Sequence, residues 1–294
     1  MDIRTYMAEA RAITDARLKE LLPAETAYPE VIHQAMAYSV FAGGKRFRPM
    51  LALAACETVC GKREPALDAA CAMECIHTYS LIHDDLPGMD DDDYRRGKLT
   101  NHKVFGEGMA ILAGDALLTY AFEILAGMAN EANSRQMIQI IAEVSRASGT
   151  AGMIGGQVVD IISEQTKPTA ELLHYIHNHK TGALIVASVR MGAILGGADE
   201  AQLAALTEYA RQLGLAFQIT DDILDVVGDE SKIGKPVGSD EKNEKATFPA
   251  LFGLEQSRVM AQEAVDAALA ALEPFGEQAD MLAQLAQYLL SRES

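Results

Sequence analysis

The sequence predicts an all-α fold in which the helices form a single domain. Apolar residues recur with helical spacing along nearly all of the 294-residue chain, and no segment shows the convincing alternation of a β-strand. Hydrophobic residues make up 49% of the chain, so it can bury a large core, while aromatic residues make up only 6% and tryptophan is absent. Because no linker interrupts the helical pattern, we expect one domain over residues 1–294.

Prolines and glycines separate the predicted helices, because these residues interrupt helical periodicity. The predicted helices span residues 2–21, 29–41, 47–60, 64–86, 108–129, 133–148, 151–163, 169–195, 200–226, 256–271 and 276–291. The separators, in chain order, include Pro23, Gly43-Gly44, Pro87-Gly88, Pro168 and Gly196-Gly197. A set of about ten or more helices is typical of a large helical bundle.

Two segments depart from this pattern. Gly155-Gly156 lies inside a predicted helix, which indicates a kink or a close contact with another helix. Residues 228–247 mix glycines, a proline, acidic residues and lysines, which predicts an exposed, mobile loop.

The composition is acidic, with 25 Lys and Arg against 42 Asp and Glu and a formal net charge of −17. This charge disfavours nucleic acids and anionic lipid surfaces as the main partner. The N-terminal sequence lacks the apolar region of a signal peptide, and no apolar run approaches the roughly 18 residues that a membrane span needs. We therefore expect a cytoplasmic protein with no membrane span and no nucleic-acid partner.

Six aspartates crowd the ten residues 84–93, which read DDLPGMDDDD. Asp84 and Asp85 end an apolar helical run, so they lie where a helix leaves the core. Asp90 is six residues beyond Asp84 and would face away from it in an unbroken helix. We expect a local break at Pro87-Gly88 to bring Asp90 back towards Asp84.

A second aspartate cluster, DDILD, ends another apolar helix with Asp221, Asp222 and Asp225. Asp221 and Asp225 are four residues apart and share a helix face. Two like charges 4 Å apart repel by about 4 kcal/mol at an effective dielectric constant of 20, and a bound divalent cation removes this cost. All-oxygen ligation with few ligands per motif favours Mg²⁺ over the alternatives of a solvated acidic loop or a calcium EF-hand.

Cations accompany both clusters, as the binding of an anion requires. GGKRFRP places Lys45, Arg46 and Arg48 beside a glycine turn, and Arg95-Arg96 follows the first aspartates. His77 lies two helical turns before Asp84. Arginine and lysine in such groups are typical of diphosphate binding. Further polar candidates are Lys180, Thr181, Gln218, Lys232, Lys235 and Lys245.

Seven segments, in this order, resemble the motifs of the trans-isoprenyl diphosphate synthases: GGKRFRP, HDDLPGMDDDDYRRG, GDALL, GGQVVD, HKTG, FQITDDILD and GKPVGSDEKNEKATFP. The resemblance runs from about residue 42 to residue 250 and is strongest to the short-chain bacterial group, the farnesyl and geranylgeranyl diphosphate synthases. The two aspartate motifs together are highly specific to this family, whereas class I terpene cyclases share a single one. The resemblance implies an isoprenoid-synthase bundle around a central apolar cavity, assembled as a homodimer.

The resemblance also implies a role for each matched residue. The metal ligands, for three Mg²⁺ ions per active site, would be Asp84, Asp85, Asp90, Asp221, Asp222 and Asp225. The isopentenyl diphosphate ligands would be Lys45, Arg48, His77 and Arg96. The allylic diphosphate ligands would be Arg95, Lys180, Lys235 and Lys245, and the residues facing the developing cation would be Thr181 and Gln218. At Glu244 the sequence departs from the family, which usually has glycine before the lysine matched to Lys245.

The implied reaction is a head-to-tail condensation of isopentenyl diphosphate with allylic diphosphates. Metal ions and cationic side chains would stabilise the departing diphosphate, the double bond of isopentenyl diphosphate would attack the allylic cation, and loss of a proton to the released diphosphate would complete the step. No protein nucleophile is needed, and no Ser–His or Cys–His signature stands out. Two alternatives are a class I terpene cyclase, whose second motif usually contains Asn, Ser or Thr with Glu, and a non-catalytic subunit, which would not need the full set of cations.

The resemblance makes Tyr79, five residues before Asp84, a candidate for the residue that limits product length. Its ring is large enough to stop a growing chain, and the Pro87-Gly88 insertion should tighten the same region. We therefore expect the fifteen-carbon product, farnesyl diphosphate, with the twenty-carbon product as the alternative. Tyr79 could instead be an ordinary core aromatic, with Ile76 or Ser80 setting the depth.

Overall fold

The computed structural model describes residues 2–163, 169–227 and 247–291. Its α-helices are α1 (Ile3–Leu21), α2 (Glu30–Val40), α3 (Phe47–Cys60), α4 (Leu67–Asp84), α5 (Asn101–Phe105), α6 (Glu107–Gly127), α7 (Ser134–Ser148), α8 (Met153–Ser163), α9 (Ala170–Ile176), α10 (Ala183–Leu195), α11 (Glu200–Val227), α12 (Phe248–Phe252), α13 (Leu254–Ala271) and α14 (Asp280–Ser291). A π-helical segment, His177–Gly182, joins α9 to α10, and 3₁₀ segments, Glu64–Ala66 and Glu273–Ala279, precede α4 and α14. The predicted all-α fold is confirmed.

Helical periodicity predicted the long helices and missed the short elements. The helix predicted over residues 169–195 is interrupted by the π-helical segment. α5 and α12 have five residues each, too few to show a period. The hairpin formed by β1 (Tyr94–Arg95) and β2 (Lys98–Leu99) was also missed. Its central residues, Arg96 and Gly97, both have positive φ, as two-residue hairpin turns often do.

Intrachain contacts group the structure into two compact units. Unit 1 comprises Met1–Leu53 and Glu64–Ile141, and unit 2 comprises Ala54–Arg63 and Ala142–Ser294. The single domain that the sequence predicts over residues 1–294 stays a prediction.

α4 lies at the centre of unit 1. It buries residues 69–76 without interruption, because its sequence is apolar on nearly every face, and it packs along α6. Where the two helices meet, a Cβ atom on Gly114 would lie 2.1 Å from Nε2 of His83, so a larger residue there would displace the imidazole ring. This close packing fixes the C-terminal end of α4, where the first aspartate motif begins.

α11 is the longest helix of unit 2 and packs along α13 and against α10. A buried cluster ties α9, α11, α12 and α13 together through Leu173, Ile219, Phe248 and Ala261. The C-terminal turns of α11 carry the second aspartate motif, and this cluster holds the helix immediately before them.

Among the described residues, α6 alone is long and apolar enough to cross a membrane by length and composition. The expectation that no stretch of the chain is long and apolar enough for a membrane span is therefore wrong for α6. The observation is weak, because the core helix of a soluble protein meets the same criterion and α6 buries Ala113, Leu117 and Leu125.

Candidate active site

The break predicted after the first two aspartates is present in the structure. α4 ends at Asp84, and the backbone N–H of Asp90 returns to donate to the carbonyl oxygen of Asp84 at 2.9 Å. A second return bond joins the N–H of Asp91 to the carbonyl oxygen of Leu86 at 3.2 Å. Asp84 is half-buried and Asp90 is exposed. The structure therefore brings the backbones of Asp84 and Asp90 together at the end of α4.

Asp85 is engaged differently from its neighbours. It is buried, and Nε of Arg95 donates to its Oδ1 at 2.7 Å. Burial raises the pKa of Asp85, and the bond from Arg95 partly opposes the rise. The first motif thus combines an exposed carboxylate with one that orients an arginine.

Arg46, the middle cation of GGKRFRP, is a buried structural residue. Its guanidinium donates to Asp15 at 2.7 Å and to Glu74 at 2.8 Å, and also to the carbonyl oxygen of Val40 at 2.6 Å. Its side chain and that of Glu74 are 2% and 1% exposed. All its charge is matched within the protein, so it has little capacity for an external anion.

Arg48 and Arg96 form the less neutralised part of the cation cluster. Nε of Arg48 is buried with no hydrogen-bond partner among the described residues. Burial lowers the pKa of Arg48 to about 10, Glu74 opposes the shift and Arg96 adds to it. Arg48 is half-buried and remains charged at neutral pH, so its positive charge and that of Arg96 are incompletely compensated.

The paired glycines explain the position of Arg96. Gly43 and Gly44 both have φ above +100°, and Nη1 of Arg96 donates to the carbonyl oxygen of Gly43. A Cβ atom on Gly44 would lie 2.5 Å from that nitrogen. The glycines therefore serve both a turn and the close approach of an arginine.

His77 lies on α4 within this cationic field. Burial lowers its pKa well below the usual value, and Arg48, Arg96, Arg95 and Arg46 lower it further. The imidazole is therefore neutral at physiological pH and offers a hydrogen bond without a charge. Lys45 is exposed at the edge of the same loop.

The three candidates for chain length, Tyr79, Ser80 and the fully buried Ile76, all lie on α4. Tyr79 is 5% exposed, its ring meets that of His83 edge-on at 5.7 Å, and its hydroxyl is buried with no hydrogen-bond partner among the described residues. Burial, with a contribution from Asp84, raises the pKa of Tyr79 to about 12. Ser80 is half-buried and donates to the carbonyl oxygen of His77 at 2.9 Å.

In unit 2, the second aspartate motif divides into two kinds of residue. Asp221 is exposed and Asp225 half-buried on the same side of α11, as their spacing predicted. Asp222 is only 6% exposed. Its Oδ2 accepts the backbone N–H of Phe248 at 2.9 Å and lies 3.4 Å from Nε2 of His177. Gln218, one turn before Asp222, is half-buried.

The π-helical segment carries Lys180 and Thr181. Nζ of Lys180 donates to Oδ2 of Asp160 on α8 at 2.6 Å. A Cβ atom on Gly156 would lie 2.2 Å from the backbone nitrogen of Lys180, so the glycine permits this contact. The close helix contact predicted for Gly155-Gly156 is therefore confirmed at Gly156. π-Helical turns often mark functional sites.

The remaining predicted cations, Lys232, Lys235 and Lys245, lie outside the described residues, as do residues 228–246 of the loop predicted over residues 228–247. Thr247, its last predicted residue, instead caps α12.

Sequence reasoning missed the carboxylates and aromatic contacts that orient the predicted residues. Glu74 was detectable, since a lone carboxylate inside an apolar helix requires a partner. Asp160 and Phe248 lie within the quoted motifs GGQVVD and GKPVGSDEKNEKATFP, but the partners of these residues and of His177 are distant in sequence and were not predicted.

One further group of possible ligands lies beside the first motif. Asp91, Asp93 and His102 each offer one atom, and these atoms lie within 4.8 Å of one another. Nζ of Lys103 already pairs with Oδ1 of Asp93 at 2.6 Å, which supplies the positive charge that a cation would bring.

Comparison with known proteins identifies the family of the chain. Residues 29–288 match the family model described as polyprenyl synthetase. A farnesyl diphosphate synthase of Geobacillus stearothermophilus is 54% identical over 77% of this chain and 76% of its own. A geranylgeranyl diphosphate synthase of Cyanophora paradoxa is 45% identical over 99% of this chain and 97% of its own.

A solved structure supports the same conclusion. The apo FPP/GFPP synthase of Zymomonas mobilis superposes with a TM-score of 0.87 at 39% identity, covering 98% of both chains. The chain belongs to the polyprenyl synthetase family and is a trans-prenyl diphosphate synthase.

Proposed function

We propose that this synthase makes farnesyl diphosphate by condensing isopentenyl diphosphate first with dimethylallyl and then with geranyl diphosphate. The observation that carries the proposal is the buried ring of Tyr79, one and a half turns before Asp84 on α4. At a rise of 1.5 Å per residue, the five intervening steps place it about 7.5 Å along the helix from Asp84. We infer that a ring at that depth would stop a growing prenyl chain after a short length.

Geranylgeranyl diphosphate is the second candidate product. The relatives include enzymes named for each product, and the Zymomonas mobilis enzyme is named for farnesyl and a longer product. Ser80 is the next candidate for the limiting residue, but its hydroxyl is bonded back to His77 and its side chain is small.

The donor set of both aspartate motifs fits Mg²⁺. The carboxylates of Asp84, Asp90, Asp221 and Asp225 are hard oxygen donors, and those of Asp90 and Asp221 are exposed. When bound, Mg²⁺ supplies positive charge to the departing diphosphate. We assign these four residues to metal binding and separate Asp85 from them, because Asp85 orients Arg95.

The cation cluster of unit 1 fits isopentenyl diphosphate. Arg48 and Arg96 supply charge, and neutral His77 supplies a hydrogen bond within their field. Lys45 adds a positive charge at the exposed edge. The cluster would hold the second substrate without needing metal.

Arg95 and Lys180 are the described candidates for binding the allylic diphosphate. Each is already oriented by a carboxylate, Asp85 for Arg95 and Asp160 for Lys180. Thr181, next to Lys180, and Gln218 supply dipoles suited to a developing allylic cation. Lys235 and Lys245 stay predicted ligands of the same substrate.

The product is tested by incubating the enzyme with isopentenyl and dimethylallyl diphosphates and Mg²⁺, then separating the dephosphorylated products by length. We expect fifteen carbons from the wild type and twenty or more from Tyr79→Ala. Tyr79→Phe is the matched control: it keeps the ring, and the hydroxyl that it removes has no described partner, so fifteen carbons should persist. An active Tyr79→Ala enzyme with wild-type products would show that Tyr79 does not limit the chain.

A homodimer completes the proposal. Ile111 and Leu112 on α6 are 45% and 54% exposed, and an apolar helix face of this kind suits a second copy of the chain. Light scattering on the purified protein should give twice the 31.7 kDa mass of one chain. A cytoplasmic location stays a prediction.

A further inference from the structure

The middle carboxylate of the second aspartate motif is placed unlike its neighbours. Asp222 is buried, whereas Asp221 is exposed and Asp225 is half-buried. Oδ2 of Asp222 accepts the backbone N–H of Phe248 at 2.9 Å, and Nε2 of His177 lies 3.4 Å away with no hydrogen-bond partner among the described residues. A buried carboxylate whose oxygen already accepts a backbone N–H is poorly placed to coordinate a metal ion as well.

The partner of this carboxylate is itself firmly anchored. Phe248 is fully buried among Leu173, Ile219 and Ala261. Its ring stacks on His177 at 5.5 Å with an interplanar angle of 8°, and meets His174 edge-on at 5.5 Å. Thr247 caps α12 by accepting the N–H of Ala250. The backbone N–H of Phe248 is therefore a fixed donor, and Asp222 binds it across 26 residues of sequence.

His177 connects the same contact to the π-helical segment. It is the first residue of that segment, which continues to Lys180 and Thr181. Asp222 thus stands where α11, α12 and the π-helical segment come together within unit 2.

We propose that Asp222 is a positioning residue and not a metal ligand: it holds the last turns of α11 against Phe248 and His177, and so sets the direction in which Asp221 and Asp225 point. The inference rests on the proposed role of those two residues as Mg²⁺ ligands. It divides the motif into carboxylates that bind metal and one that aligns them.

Two substitutions at Asp222 separate alignment from coordination. Asp222→Asn keeps an oxygen that can accept the N–H of Phe248 but has no negative charge for a metal. Asp222→Ala removes the acceptor altogether. Asp221→Asn is the matched control, since it makes the same chemical change at a proposed ligand one residue away.

The first measurement is steady-state kinetics with a Mg²⁺ titration. We expect Asp222→Asn to keep kcat within about threefold of wild type with the same Mg²⁺ dependence, and Asp222→Ala to lose about tenfold to a hundredfold in kcat through misplacement. The KM for isopentenyl diphosphate should be unchanged in both. Asp221→Asn should need more Mg²⁺ and lose several orders of magnitude in kcat.

The second measurement is independent of catalysis. Hydrogen exchange of residues 247–252 in metal-free protein should quicken in Asp222→Ala and stay slow in Asp222→Asn and Asp221→Asn. An Asp222→Asn enzyme as impaired as Asp221→Asn, with the same shift in Mg²⁺ dependence, would identify Asp222 as a ligand. Wild-type kcat or wild-type exchange in Asp222→Ala would also overturn the proposal.

Failure of the proposed function gives a different pattern. A wild type that makes no prenyl diphosphate would refute the function, while the exchange measurement would still test the anchor. If Asp222→Ala does not fold, the comparison between Asp222→Asn and Asp221→Asn decides alone.

Discussion

The two arginines of the GGKRFRP segment differ in their surroundings, and we therefore expect them to differ in role. Arg46 is matched by Asp15 and Glu74, while Nε of Arg48 is buried without a described partner. Buried cations that are matched hold a structure together, and those that are not attract anions. The sequence shows three similar charges, and only burial and partners distinguish them.

This difference predicts that Arg46→Ala mainly affects stability, whereas Arg48→Ala mainly affects substrate binding. Arg46→Ala leaves the buried Glu74 uncompensated and should lower the free energy of unfolding by about 3–5 kcal/mol. Arg48→Ala should change that free energy by no more than about 1 kcal/mol while raising the KM for isopentenyl diphosphate. Urea unfolding and steady-state kinetics on both variants check this. A stable Arg46→Ala protein with a raised KM would reverse the assignment.

His77 should make stability depend on pH. Its folded pKa is held well below the ordinary value of about 6.5, so below about pH 6.5 the unfolded chain binds a proton that the folded protein does not. Stability from this group is therefore fully present above that pH and falls as the pH falls. Urea unfolding between pH 8 and pH 5 should show this loss in wild type and less of it in His77→Gln. Parallel pH profiles for the two proteins would contradict it.

At the scale of elements, two glycines allow helices to approach a neighbouring segment more closely than a larger residue would. Gly156 on α8 lies against the backbone of Lys180, and Gly114 on α6 lies against His83. The π-helical segment provides the other side of the Gly156 contact, because Lys180 belongs to it. Its wider turn interrupts the regular α-helical course from α9 to α10 at Lys180 and Thr181.

Gly156→Ala should therefore disturb the π-helical segment. The added methyl would overlap the backbone of Lys180, so we expect the thermal midpoint of unfolding to fall. We also expect the KM for the allylic substrate to rise more than the KM for isopentenyl diphosphate. Gly108→Ala, a helical glycine with open space around it, is the control and should stabilise by up to about 0.5–1 kcal/mol. Equal effects of Gly156→Ala on both KM values would show that the segment does not serve the allylic substrate.

Local spacing predicted the helices, the return of Asp90 to Asp84 and the shared face of Asp221 and Asp225. These features depend on residues close together in the chain, which a pattern records. The burial of Asp222 depends on Phe248, 26 residues away, and the π-helical turn accompanies a contact with another helix. Such long-range contacts leave no period in the sequence, so the sequence could group the three aspartates but could not separate their roles.

At the scale of the whole molecule, an acidic chain concentrates its cations where phosphate would bind. Against a net charge of −17, Arg46, Arg48, Arg95 and Arg96 all act on His77. The acidic clusters at the ends of α4 and α11 need cations in turn. Each unit therefore carries an acidic cluster of the kind proposed above to bind Mg²⁺, and unit 1 also carries the arginines proposed to bind a diphosphate.

Removal of divalent metal should abolish turnover. After treatment with EDTA we expect no product, and added Mg²⁺ should restore activity fully, because the proposed carboxylate ligands have no other means of binding the diphosphate. Asp84→Ala should lose several orders of magnitude in kcat at saturating Mg²⁺ and keep the wild-type helical content by circular dichroism. Full activity without metal would contradict the assignment of both motifs.

The pairing of Arg95 with Asp85 and of Lys180 with Asp160 has a consequence for selectivity. A cation that already has an internal partner accepts an outside anion only by exchange. In the proposed function, a monovalent headgroup would gain little from such an exchange, whereas a multiply charged diphosphate would compensate for the carboxylate that it displaces. After the diphosphate leaves, the carboxylate would pair with its arginine or lysine again and oppose rebinding. The internal pairs would therefore favour the binding of multiply charged groups over singly charged ones. They would also speed the release of diphosphate, because the carboxylate competes with it for the same cation.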